Sequence, residues 1–345
     1  MTLIVQKFGG TSLASPDVIQ STAQHVARAY QAGQQVVVVV SAMAGVTDQL
    51  IGYVRHVAVA PDPREYDVVV SAGEQVTCGL MALVLRNMGI PAQSWLGWQI
   101  PIITSAVHSK SRIQEVLCND LRANLASGKV PVVAGFQGMT YERAITTLGR
   151  GGSDLTAVAV AASLKAERCD LYKDVDGIYT ADPKIVSKAR KLDSISYEEM
   201  LELSSLGSKI LQTRAVEMAI SERVRLRVTP TFGKSSGTLI VDEKEIMEKG
   251  LIRGIVCNMG EAKISLQGIT NFSQASAELF NCLAQAHISL DMISHHAMQD
   301  QATLSFTVSQ AEMEQAVALT QSHQSAIGFQ HLTLQAQIAK ISIVG

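Results

Sequence analysis

Five consecutive valines, Val36-Val37-Val38-Val39-Val40, lead straight into Ser41-Ala42-Met43-Ala44-Gly45-Val46-Thr47-Asp48, a stretch of small and hydroxyl-bearing residues. A run that is apolar at every position lacks the alternation of a half-exposed strand, so it reads as a strand buried on both faces. Leu3 to Phe8 and Val130 to Ala134 have the same character, while Pro16 to Ala32, Glu74 to Met88 and Ser153 to Lys165 carry helical patterns. Such strands separated by helices predict a largely parallel sheet covered on both sides, a three-layer α/β sandwich. In open sheets of this kind ligands sit beyond the carboxyl ends of the strands, so the chemistry is sought in the loops that follow them.

The chain has 345 residues, more than one hydrophobic core usually serves, so two domains are expected. With 29 Lys and Arg against 31 Asp and Glu, the net charge of -2 gives no footprint for nucleic acid and no basic arm for a membrane. Five cysteines, Cys78, Cys118, Cys169, Cys257 and Cys282, lack C-x-x-C spacing and suggest neither zinc nor a disulfide framework. The N-terminus places Lys7 within its apolar stretch and then turns to glycine, unlike a signal peptide, and the apolar runs are too short to span a bilayer. A soluble, cytoplasmic protein is expected.

Five loops carry small residues where a ligand would sit. They are Lys7-Phe8-Gly9-Gly10-Thr11-Ser12, the Ser41 to Asp48 stretch, Ser71-Ala72-Gly73-Glu74 after the apolar Val68 to Val70, Phe136-Gln137-Gly138, and Thr147-Leu148-Gly149-Arg150-Gly151-Gly152-Ser153-Asp154. All five are expected to end strands of one sheet. In the last of them the glycines let backbone amides approach an anion, the helix start attracts negative charge, and Arg150 can fork onto a carboxylate. Together they point to a nucleotide and a small acidic substrate. Gly233-Lys234-Ser235 imitates the end of a P-loop, but Val228 stands where the leading glycine belongs.

Three of those loops, Lys7 to Ser12, Ser71 to Glu74 and Thr147 onward to Ala157, followed in that order by Lys173-Asp174-Val175-Asp176-Gly177-Ile178-Tyr179-Thr180-Ala181-Asp182-Pro183 and by Gly207-Ser208-Lys209-Ile210-Leu211, resemble the aspartate kinases. The resemblance covers residues 1–245 and implies the amino-acid kinase sandwich, with ATP and Mg2+ as cofactors and L-aspartate as substrate. It implies Lys7 and Asp154 as catalytic residues, Lys7 neutralising the transferred phosphoryl group and Asp154 holding Lys7. Thr47, Glu74, Arg150 and Ser153 would bind aspartate, Glu74 at the ammonium and Arg150 at the α-carboxylate. Lys7, Gly9, Gly10, Ser41, Gly151, Gly152, Lys173, Asp174, Tyr179, Asp182, Lys184 and Lys209 would surround the nucleotide. The chemistry asks for no general base, since an aspartate carboxyl with a pKa of about 4 is ionised at neutral pH and can attack phosphorus directly. A sister carboxylate kinase of the same superfamily is the near alternative. A noncatalytic amino-acid sensor is the distant one, and intact Lys7, Glu74, Arg150 and Asp154 argue against it.

Residues 246–345 read as a β-α-β-β-α-β unit. Its strands are expected at Ala262 to Gly268, Ile288 to Ile293, Thr303 to Val308 and Gln330 to Leu334, its helices at Ala275 to Ala286 and Met313 to Thr320. That order resembles the ferredoxin-like ACT module, which implies regulation by amino acids and a homo-oligomer. Ala339-Lys340-Ile341-Ser342-Ile343-Val344-Gly345 then echoes Ala262 to Gly268, as the first strand of a second such unit, and is expected to join the existing sheet or a partner subunit. Where the family often has Asp-x-Pro-Gly, this chain has Asn271-Phe272-Ser273-Gln274, so weak or absent inhibition by lysine and threonine is expected. His295 and His296, adjacent on a strand, would face opposite ways and do not suggest a metal pair.

Overall fold

The computed structural model describes residues 1–246, 252–298 and 301–345. The chain divides into a larger unit, Met1–Gly254 with Val344–Gly345, and a smaller one, Ile255–Ile343.

The larger unit opens with β1 (Leu3–Phe8), α1 (Pro16–Gln31) and β2 (Gln35–Val40). Next come α2 (Val46–Val57), α3 (Pro63–Val70), α4 (Ala72–Asn87), β3 (Ala92–Trp95), β4 (Ile102–Thr104) and β5 (Ile113–Val116). Its middle holds α5 (Asn119–Ala126), β6 (Val130–Ala134), β7 (Gln137–Met139), β8 (Ile145–Thr147), α6 (Gly152–Leu164) and β9 (Arg168–Lys173). It closes with β10 (Ser194–Ser196), α7 (Tyr197–Ser205), α8 (Thr213–Glu222), β11 (Leu226–Pro230) and β12 (Thr238–Val241).

Eight of the strands form one sheet in the order β10-β12-β11-β9-β1-β2-β6-β3, parallel except where β12 meets β11. The five valines are buried in its centre, as their unbroken apolarity requires. Ile4, Phe8, Val36, Val38 and Val40 on one face pack against Ile19, Ala23 and Val26 of α1 and Cys78, Met81 and Leu85 of α4. α1 starts where Ser15 accepts the Val18 amide at 3.3 Å and Pro16 takes the first turn, so cap and apolar stripe agree on its placement. The other face is covered by α6, whose small residues from Gly152 to Ala161 are all buried. The three layers are those expected.

A separate four-stranded sheet, β5-β4-β7-β8, was not anticipated, and it changes how the loops are arranged. The Gly9, Ser41 and Phe136 loops do follow strands of the main sheet, but the Arg150 turn follows β8 in the smaller sheet. Val68 to Val70, read as a strand, is the last turn of α3, and Ser71 joins α3 directly to α4. Only Asp67 and Val70 near that end are buried, the spacing of one helix face rather than of a strand. The helical stretch Pro63–Asn87 is long and apolar enough to cross a membrane by length and composition, yet half of its most apolar window is buried inside the protein.

The smaller unit contains β13 (Gly254–Ile269), α9 (Phe272–Gln285), β14 (Ile293–Met298), β15 (Gln301–Ser309), α10 (Met313–Ser322), the short α11 (Gln324–Ile327) and β16 (His331–Val344). Its sheet order, β14-β15-β13-β16, is that of a ferredoxin-like βαββαβ unit. Ile264, Leu266, Leu304 and Phe306 pack against Leu279 and Leu283 of α9 and Ala316 of α10. Two expectations shift. The strand expected at Ile288 to Ile293 begins only at Ile293, because His287 takes a left-handed φ of 57° and the Ile288 amide closes α9 on the Leu283 carbonyl at 3.0 Å. The strand expected at Gln330 to Leu334 and the repeat at Ala339 to Gly345 fall, apart from Gln330 and Gly345 themselves, in one long strand, β16, so the terminal repeat joins the existing sheet beside β13. His295 and His296 are consecutive on β14, opposite Leu304 and Thr303, and the His295 ring lies 4.5 Å from that of Phe272.

Candidate active site

Lys7 lies on β1, where its neighbours Phe8 and Gln6 face the α1 side and it faces α6. That direction brings its ammonium to Asp154, in the first turn of α6, with Lys7 Nζ 2.6 Å from Asp154 Oδ1. Lys173, at the end of β9, reaches the other oxygen at 2.7 Å. Register explains the meeting, since Lys7 pairs with Leu171 on β9, so Lys173 lies on the same face one step further toward the carboxyl ends. Both Lys7 and Asp154 are buried, and a carboxylate between two ammonium groups at a helix start is well placed electrostatically.

Burial alone would push the Asp154 carboxyl up, but Lys173 and Lys7 outweigh it and hold the group well below the usual carboxylate range. Burial lowers Lys7, with Lys173 acting in the same direction and Asp154 opposing. The trio carries two positive charges and one negative, a net cation at the carboxyl end of the central strand.

Beside it lies a cavity of about 300 Å³ lined by Gly10, Ser41, Thr47, Glu74, Phe136, Arg150, Gly151, Gly152 and Ser153, among others. Thr47, Glu74, Arg150 and Ser153, the four residues expected to bind the amino acid, are therefore brought together, with four of the expected nucleotide-side residues. A larger concavity of about 450 Å³ lies around Arg86, Pro91 and Lys129, where β3 and β6 begin, and none of the expected site residues lines it. The smaller cavity is at the carboxyl ends, where the fold places ligands.

Glu74 is 3 % exposed, and its Oε2 has no hydrogen-bond partner among the described residues. Burial raises its pKa to about 7, with backbone hydrogen bonds at Ala42 and Glu74 itself and the Lys7 charge pulling back. A buried, unpartnered carboxylate oxygen is costly unless something cationic completes it. Arg150 is exposed and makes no hydrogen bond or ion pair among the described residues, so its fork is free for a ligand.

Several glycines of these loops are required by packing. Gly151 has φ 73°, and a Cβ there would lie 1.8 Å from Gln212 Cγ. A Cβ on Gly152 would meet Leu148 and Phe136 at 2.8 and 3.0 Å, and one on Gly10 would come within 3.2 Å of the Ala42 carbonyl. Gly9 is open by comparison, with its Cβ position 3.7 Å from Lys7 Nζ.

The remaining residues of the expected nucleotide side stand elsewhere. Asp174, Asp182, Lys184 and Lys209 are exposed, Tyr179 bridges to Lys191 through the backbone, and the Asp182 carboxylate accepts the Lys184 amide at 2.8 Å. None of them lines the cavity. Two contributors were not among the expected site residues. Phe136 lines the cavity with a left-handed φ of 68°, a strained conformation for an aromatic residue, and its carbonyl accepts the Leu148 amide at 2.9 Å. Arg214 of α8 donates to the carbonyls of Leu148 at 2.8 Å and Ser111 at 2.7 Å, fastening the turn that carries Arg150. Phe136 belongs to a loop expected at the ligand end, whereas nothing next to Arg214 in sequence signals its role.

The sequence signature described as the amino acid kinase family matches residues 2–230, and the chain belongs to that family. Its relatives over the whole length are aspartate kinases. It is 46 % identical to the aspartate kinase of Pseudomonas putida over 347 residues, covering 100 % of this chain and 84 % of the relative. It is 43 % identical to aspartokinase 2 of Bacillus subtilis, with 100 % and 85 % covered. Among solved structures, the aspartate kinase from Synechocystis is 37 % identical with a TM-score of 0.64, covering 100 % of this chain and 60 % of that one. Escherichia coli aspartokinase III in complex with aspartate and ADP has a TM-score of 0.78 at 24 % identity, covering 99 % and 87 %, and shares the fold.

Proposed function

We propose that this protein is an aspartate kinase, transferring the γ-phosphate of ATP to the β-carboxylate of L-aspartate to give 4-phospho-L-aspartate. The observation that carries the reading is the pairing, in one cavity, of an unpartnered buried carboxylate oxygen on Glu74 with an unpaired guanidinium on Arg150. Opposite charges lining one cavity suit the ammonium and carboxylate of an amino acid, and the cationic Lys7–Asp154–Lys173 group nearby suits a phosphoryl group.

In this reading Glu74 takes the α-ammonium and Arg150 the α-carboxylate, with Thr47 and Ser153 adding hydrogen bonds. The side-chain carboxylate is thereby left free to attack phosphorus, and no base is needed because it is already ionised. Lys7 and Lys173 balance charge on the transferred group while Asp154 fixes both ammonium positions, so catalysis rests on positioning and electrostatics. Gly9, Gly10 and Ser41 offer the phosphates close backbone approach; Asp174, Tyr179, Asp182, Lys184 and Lys209 are assigned to the outer part of the nucleotide. By the same reading a Mg2+ would accompany the nucleotide. That ion would supply further charge neutralisation at the phosphates.

Residues 246–345 are assigned a regulatory role, with copies associating through the smaller unit's sheet, on which Ile341 and Ile343 are exposed. All five cysteines are free and four are buried, which supports a reducing, cytoplasmic setting. Replacing Arg150 by alanine tests the assignment. The aspartate KM is expected to rise about 100-fold, roughly the loss of a charge-assisted fork, with the ATP KM unchanged. An unchanged aspartate KM would remove Arg150 from the substrate site.

A further inference from the structure

Glu74 and Arg150 come from separate parts of the chain, Glu74 from the first turn of α4 and Arg150 from the turn after β8. A substrate as short as an amino acid senses the spacing between its ammonium and carboxylate sites, so two such residues must be held in register. Asp67, in the last turn of α3, is fully buried and is the point where the two parts meet. Its carboxylate accepts the Thr147 amide at 3.1 Å and the Thr147 hydroxyl at 2.5 Å, the Ser109 amide at 3.0 Å, and His108 Nδ1 at 2.8 Å. Four residues along the same helical stretch, the Ser71 carbonyl accepts Gln137 Nε2 at 3.1 Å, and Gln137 lies opposite Thr147 in the β7–β8 ladder. The α3–α4 junction is thus tied at two buried points to the hairpin that leads into the Arg150 turn. Ser109, held by Asp67, also backs that turn, since a Cβ on Gly149 would come within 3.1 Å of its carbonyl.

We infer that Asp67 is a positioning residue for the amino-acid substrate: by clasping Thr147 and Ser109 it sets the distance between Glu74 and Arg150. The inference rests on the reading that these two residues hold opposite ends of the substrate. A carboxylate accepts from all of these donors at once, the Thr147 and Ser109 amides sharing Oδ2 and the Thr147 hydroxyl bonding Oδ1. An asparagine in its place keeps one oxygen for the amides but turns an NH2 toward the hydroxyls, so charge-assisted bonds give way to weaker neutral ones and the hold on the hairpin loosens.

The test compares D67N, T147V and T147S in the full chain, measuring kcat and both KM values, with folding checked by tryptophan fluorescence. D67N is expected to raise the aspartate KM about tenfold or more, and T147V, which loses one donor, about threefold. T147S keeps the amide and hydroxyl and is expected to match the parent, and in all three kcat and the ATP KM stay within about twofold. T147V decides the matter alone should D67N not fold. An unchanged aspartate KM in T147V and D67N would overturn the inference, as would a parallel loss in kcat and both KM values. Parent turnover that does not depend on aspartate would instead overturn the functional reading beneath it.

Discussion

The Glu74 carboxyl supplies a prediction in which sign and size both follow from burial. It ionises at about 7 in the folded chain against an ordinary 4.5. Between those values the folded state keeps a proton that the unfolded state has lost, so stability is fully present below about pH 4.5 and falls as pH rises through 7. At about 1.36 kcal/mol per pH unit, the interval amounts to roughly 3 kcal/mol in the ligand-free protein. E74Q cannot titrate and removes this dependence, whatever the amide costs at a fixed pH. The assay is urea unfolding of parent and variant without ligands, from about pH 5 to about pH 8, followed by the fluorescence of Trp95 and Trp98. Both tryptophans lie in the larger unit, so the signal reports the unit that holds Glu74. Other titrating groups cancel in the difference. The parent is expected to lose roughly 2 to 3 kcal/mol relative to E74Q across that range. Parallel stability curves would refute the argument that burial, with Oε2 left unpartnered, raises the Glu74 carboxyl. The same ionisation governs binding, so the parent's affinity for aspartate is expected to weaken toward tenfold per pH unit below about 7.

Two further outcomes follow from the site and the smaller unit. K7M keeps the bulk of Lys7 and leaves Asp154 with Lys173 alone, so kcat is expected to fall about a thousandfold with little change in the aspartate KM; retained turnover in steady-state assays would contradict the role of Lys7. With Asn271-Phe272-Ser273-Gln274 at the start of α9, millimolar lysine or threonine is expected to leave turnover nearly unchanged, and strong inhibition by either would contradict this.

The main sheet was legible because burial on both faces writes itself as unbroken apolar runs, and Val36 to Val40 could hardly form anything else. The loops after β1, β2 and β6 were legible for the same reason, since a parallel sheet fixes where its ligand end lies. Val68 to Val70 misled because a three-residue apolar run carries no period of its own. The short strands of the second sheet, three or four residues each, fall below the length at which alternation can be counted. Glu74, Arg150 and Asp154 could be read from local context and from resemblance. Asp67 could not, because its partners lie 41, 42 and 80 residues away and no spacing links them. The Phe136 loop was legible but its left-handed backbone was not, since that is held by hydrogen bonds with Leu148 and Thr156 rather than set by its own residue type.

The central claim is that the cavity between Glu74 and Arg150 binds aspartate and presents its side-chain carboxylate to ATP. ADP release measured with Mg2+ and ATP across aspartate, glutamate, acetylglutamate and carbamate tests it most directly, with hydroxylamine added to trap any acyl phosphate as a hydroxamate. Aspartate is expected to drive ADP release and hydroxamate formation together, with the other three acceptors far behind. Release driven by glutamate alone, or no acceptor-dependent release at all, would contradict the account.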